Sequence, residues 1–128
     1  MQSRLTQLPF QERSQTAYDQ LMADYLTLLT TTDSVEEAAA LAKSAVTARL
    51  AACAQVDGPI TSTYWWQGDV ESAKEWRVLY KTTAERYPAV EAHIKSEHSY
   101  DVPEVIVGEI PAGSRQYLDW ITEETRQP

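Results

Sequence analysis

The stretch that most constrains the fold is residues 61–82, which reads as two long strands joined at Trp66-Gln67-Gly68-Asp69. The first arm is Thr61, Ser62, Thr63, Tyr64 and Trp65, and the return arm carries Trp76, Val78, Leu79 and Tyr80. Such β-branched and aromatic residues suit a pleated, half-buried surface. Gly68 beside Asp69 permits the positive backbone angle that a tight reversal needs. In the return arm Trp76, Val78 and Tyr80 alternate with Glu75, Arg77, Leu79 and Lys81, so one face is apolar and the other mostly polar. A ribbon this long overhangs a small domain. It needs something to pack on, and a partner subunit is the simplest candidate.

The rest of the chain supplies a sheet for the ribbon to join. Tyr25 to Thr31 is a short β-type run without Gly or Pro, expected as a central strand. Asp33 and Glu36 have capping-box spacing, and Val35, Ala39, Ala42 and Val46 recur at helical period, with Ala38, Ala45 and Leu50 widening the stripe. That helix is expected to run to about Arg49. A strand at Ala52 to Val56 follows, bent or ended by Asp57-Gly58-Pro59; Pro59 cannot donate to a ladder, so an edge position or a bulge is expected. Pro88 fits the first turn of a second helix carrying Val90 and Ile94. Val105, Ile106, Val107 and Ile110 make a fourth strand, and Ser114 caps a last helix with Tyr117, Leu118 and Ile121 inward. The order is βαββαβ plus a C-terminal helix. With right-handed crossovers onto one antiparallel sheet this is the ferredoxin-like α+β plan, with helices on one face and the other face in need of cover.

The chain has 128 residues, of which 43% are hydrophobic, enough for one folded domain. Residues 1–22 are polar and Gln-rich and are expected to be a disordered extension, with the folded domain in residues 23–128. A formal net charge of −8 with only 11 Lys and Arg argues against nucleic-acid binding. The lone Cys53 makes an intramolecular disulfide impossible. Residues 1–23 show no secretory leader pattern, and no apolar run is long enough to cross a bilayer. A cytoplasmic protein is expected, without membrane contact. No nucleophile–base pair, phosphate-cradling Gly loop or Cys-x-x-Cys is present, so no enzymatic role is expected.

Four segments in order then resemble the CutA family of divalent-cation-tolerance proteins, across residues 24–122. They are Ala48-Arg49-Leu50-Ala51-Ala52-Cys53; Tyr64-Trp65-Trp66-Gln67-Gly68, which fits Tyr-x-Trp-x-Gly, with Lys81-Thr82 closing the return strand; His98-Ser99-Tyr100-Asp101-Val102-Pro103-Glu104, which fits His-Pro-Tyr-x-x-Pro-Glu; and Tyr117-Leu118 with Trp120-Ile121. The departure is Ser99, where the family usually has Pro, which removes a brace from the turn that aims His98 and Tyr100. The resemblance implies a ferredoxin-like homotrimer built from sheet edges and long hairpins. It also implies a role in tolerance of copper and other divalent metals.

On that fold Cys53, His98 and Glu104 are the candidate metal ligands. A soft thiolate with an imidazole suits Cu or Zn, and a carboxylate can complete the set. Their spacing is no metal motif. Cys53 and Glu104 belong to strands at opposite sheet edges, so they are expected to meet only across a subunit boundary. The alternatives are a small buried hydrophobe for Cys53, and for His98 a helix C-terminal residue facing free carbonyls. Tyr64, Trp66, Lys81 and Tyr100 are candidates to line an inter-subunit cleft, where Lys81 would take a small anionic ligand. Equally, the two hairpin aromatics are structural cover and Lys81 a strand pairing residue. His93 reads as a helix residue. A trimeric sensor, or a scaffold for another protein, is the alternative to metal handling.

Overall fold

A computed structural model of the chain describes residues 23–127, and the expectation for residues 1–22 lies outside them. Four strands and three helices follow in the expected order: β1 (Tyr25–Thr32), α1 (Val35–Thr47), β2 (Cys53–Trp66), β3 (Asp69–Thr83), α2 (Tyr87–Glu97), β4 (Ile106–Ile110) and α3 (Arg115–Glu124). A 3-10 turn, Ala84–Arg86, leads from β3 into α2. The antiparallel sheet has the order β2-β3-β1-β4, so β2 and β4 are its two edges.

The ribbon is longer than residues 61–82. It is built from the whole of β2 and β3, with Cys53 opposite Lys81 at one end and Trp66 opposite Asp69 at the other. Gln67 and Gly68 both have positive φ, 49° and 87°, the signature of a two-residue type I′ turn whose twist matches its strands. Pro59 sits on the edge strand, and the register shifts between Asp57 and Ile60, so the edge and the bulge are both present. The strand continues through the bulge rather than ending there. Gly58 makes this possible: its φ is +147°, and a Cβ there would stand 2.7 Å from Trp76 Cδ1.

The main core lies between the sheet and the helix pair α1 and α2. Leu26 and Leu28 of β1 and Val78 and Tyr80 of β3 meet Ala38 and Ala45 of α1 and Val90 and Ile94 of α2. Alternate residues of the strands and every third or fourth of the helices meet there, which is the pattern such layers need. Three helical details differ from the sequence reading. Ser34, not Asp33, caps α1, accepting a 3.0 Å bond from the Glu37 amide. The buried stripe is Ala38, Leu41 and Ala45, while Val35 and Val46 are exposed. Small apolar residues surround this helix, so periodicity could not tell neighbouring stripes apart. Finally, α1 ends at Thr47: Arg49 turns left-handed at φ 60° while its amide bonds Val46 O and that of Leu50 bonds Ala45 O, a Schellman closure.

The opposite sheet face is not wholly bare. Leu118 and Ile121 of α3 pack on Ala52, Tyr25 and Ile110, covering one end of it. Tyr117, expected inward, is instead half-exposed beside Trp120. Among the described residues the distal ribbon has no such layer: Trp65 is 75%, Val70 58% and Trp66 56% exposed.

Candidate functional site

The His98 cluster is assembled from the end of β1, the start of α1 and the turn after α2. His98 terminates α2, its backbone already extended while its amide bonds Ile94 O. Its side chain is fully buried. Nε2 lies 2.8 Å from the Thr31 carbonyl oxygen, and Nδ1 accepts a 3.0 Å bond from the Tyr100 amide. A carbonyl can only accept and an amide only donate, so the ring is the neutral tautomer with hydrogen on Nε2. The partner is the central strand, not the free carbonyls of the helix end. The Tyr100 ring lies against the imidazole at 4.7 Å, and its hydroxyl donates to Glu75 Oε2 at 2.8 Å. Burial and then the Glu75 carboxylate raise the Tyr100 phenol well above its ordinary range.

Glu37 completes the cluster. Oε2 accepts from the Ser99 amide at 3.1 Å and stands 3.5 Å from His98 Nδ1. Burial pushes this carboxyl upward, but the bonds from Ser99 and then Thr32 outweigh it and hold Glu37 below the usual carboxylate value. Ser99 therefore does what a proline could not. Its free N–H ties the turn to α1, replacing stiffness of the ring by a hydrogen bond. Glu104, exposed at the approach to β4, accepts a long 3.5 Å bond from Thr31 Oγ1, so His98 and Glu104 share Thr31 as a neighbour.

Cys53 and Lys81 form a separate group near the other end of the ribbon, on β2 and β3. Cys53 is a free, partly exposed thiol opposite Lys81. Lys81 Nζ donates to Tyr117 Oη at 3.4 Å and lies 5.5 Å from that ring's centre. Tyr64 and Trp66 lie near the turn, opposite Glu71 and Asp69 and exposed. His93 is a helix residue as expected, its Nε2 2.8 Å from Ser44 Oγ across α1 and α2.

Thus one chain brings His98, Tyr100 and Glu104 to one region and Cys53 and Lys81 to another. Among the described residues no group of three or more His, Cys, Asp and Glu side chains is placed to hold a metal. This is the separation expected from β2 and β4 at opposite edges. The imidazole is also committed at both nitrogens, so it can ligate only by releasing one of those bonds. Glu37 and Glu75 were not singled out from the sequence. Glu37 was hidden by the Asp33–Glu36 capping reading, and Glu75 read as one more polar residue of an alternating strand.

The family model for the CutA1 divalent ion tolerance protein matches residues 26–124. The chain belongs to this family. It is 42% identical over 98 residues to the divalent-cation tolerance protein CutA of Thermus thermophilus, spanning 77% of this chain and 95% of that one. Against the chloroplastic protein CutA 1 of rice it is 40% identical over 87 residues, 68% of this chain and 49% of the relative. The crystal structure of CutA from Xylella fastidiosa superposes with a TM-score of 0.79 at 32% identity, covering 81% of this chain and all of that one. The Thermus thermophilus Cut A1 structure gives 0.77 at 40% identity, over 80% and 99% of the two chains. The CutA1 fold is therefore shared over nearly the whole described domain.

Proposed function

We propose that this CutA1 protein acts in divalent-cation tolerance in the cytoplasm as a homotrimer, holding copper or zinc at its subunit boundaries. The observation that carries the reading is the placement of Cys53 and Glu104 at opposite open edges of one sheet. Ring-like association of edge with edge brings one chain's thiol toward the next chain's carboxylate. The exposed aromatics of the ribbon supply apolar surface for that association. A thiolate and a carboxylate then form a mixed donor pair for a divalent ion. His98 is the third donor if its Nδ1 exchanges the Tyr100 amide for metal; otherwise it positions Thr31 and the Glu104 side chain beside it. No reaction is assigned.

Sedimentation equilibrium and isothermal titration with Cu²⁺ and Zn²⁺ test both halves of the proposal. A trimer with saturable binding, lost in Cys53→Ser and weakened in Glu104→Gln, is the expected result. A monomer, or metal affinity indifferent to Cys53, sinks it.

A second reading rests on Lys81. Its partners among the described residues are the hydroxyl and ring of Tyr117, with no carboxylate. An inter-subunit cleft with Lys81, Tyr64, Trp66 and Tyr100 on its walls would then take a small anion in a sensor or scaffold role. Ligand stabilisation lost in Lys81→Ala with metal affinity intact favours this alternative.

A further inference from the structure

A different cavity lies between the Ala84–Arg86 turn and the C-terminal end of α3. It encloses about 410 Å³, and its lining includes Thr83, Glu85, Arg86, Thr122, Thr125 and Arg126. Arg86 and Arg126 line it, Arg49 is a neighbour through its carbonyl, and the three are not equally matched. Arg49 reaches Glu124 Oε2 at 3.1 Å, and Arg126 reaches Glu123 Oε2 at 2.9 Å. Arg86 meets no carboxylate among the described residues. Its Nη2 makes a long 3.4 Å bond to the Arg49 carbonyl, and its Nε–H is buried with no acceptor.

Arg86 as a whole is partly exposed, but a buried N–H left without an acceptor costs on the order of 1–3 kcal/mol, so it calls for a missing partner. One nearby hydroxyl fits that partner's sign, since those of Thr122 and Thr125 already donate to helix carbonyls. Thr83 Oγ1 already accepts from the Arg86 amide, which leaves its own hydrogen to donate. We propose that this cavity binds a small molecule through a carboxylate or phosphate group, gripped by Arg86 and Arg126. In the planar Arg86 guanidinium Nε–H already stands beside an Nη–H, the fixed fork that matches two oxygens of an oxyanion. Arg126 is held only by an exposed ion pair, which is weak and readily exchanged for a ligand. Glu85 and Glu123 offset the bulk positive field, so affinity rests on the paired geometry.

The site shares no residue with the metal or Lys81 sites, so its failure and theirs are separable. The test is isothermal titration of the full chain with inorganic phosphate and, separately, with malonate, in chloride buffer. Saturable binding is expected, weakened by about tenfold or more in Arg86→Lys and in Arg126→Gln. Arg86→Lys keeps the charge and removes the fork, so it separates lost geometry from lost folding. Binding of phosphate alone assigns a phosphate-bearing ligand, and binding of malonate assigns a carboxylate. No saturation by either anion up to about 10 mM, or binding untouched by both arginine variants, overturns the proposal.

Discussion

The two halves of the ribbon have similar residues and different fates. Near the sheet, Val78 and Tyr80 are sealed beneath α1 and α2, while near the turn Trp65, Trp66 and Val70 face outward. Burying a large apolar side chain is worth about 1.5–3 kcal/mol, and only the proximal half collects it within one chain. The distal half is a surface without a layer. Strand pairing alone does not decide burial; a second layer does.

Leu28→Ala is the sharpest contrast to draw. It empties a fully buried position and is expected to cost about 3 kcal/mol in denaturant unfolding. If the loss were below about 1 kcal/mol, the proximal core would be far looser than its packing implies. At the junction of the two halves, Gly58→Ala sets a Cβ against Trp76 and strains a left-handed backbone. It is expected to cost about 2 kcal/mol and to perturb the Trp76 environment in near-UV circular dichroism.

Ser34→Ala removes the cap that starts α1 and should cost about 1 kcal/mol in thermal unfolding. Glu37 adds a pH dependence. Its carboxyl is depressed in the folded state, so its stabilisation is present above the unfolded value and is lost as pH falls through the folded one. Glu37→Gln should flatten the acid limb of a stability profile. An unchanged limb would show that the Ser99 and Thr32 bonds carry no charge-dependent energy.

Trp65→Ala is the smallest effect on the fold of one chain, about 0.5 kcal/mol or less for an exposed site. Its consequence is expected in sedimentation, as weakened self-association. A variant that unfolds but still associates would reverse the assignment of the two halves.

Much of this was legible in residues. Gln67-Gly68 spelled the reversal, Pro59 marked the edge and the bulge, and alternation in β3 gave its buried face. The helix stripe was not, because a run of alanines has no distinct apolar side until a sheet chooses one. The Ser34 cap was not, because Asp33 is as good a cap chemically and only the backbone angles select between neighbours. The site was half legible. His98, Tyr100 and Glu104 stood out through the segment that resembles the family's His-Pro-Tyr-x-x-Pro-Glu, whereas Glu37 and Glu75 come from other elements.

Taken alone, then, the sequence determined the element order and the ribbon, which rest on local backbone preference and periodicity, and the family, which rests on four motif segments that resemble it. The tertiary structure decided that His98 is buried and spoken for at both nitrogens. It also placed α3 on the far face of the sheet, set Cys53 and Glu104 apart, and left Arg86 without a carboxylate among the described residues. Those outcomes depend on distances between segments far apart in the chain, which no local pattern of residues encodes.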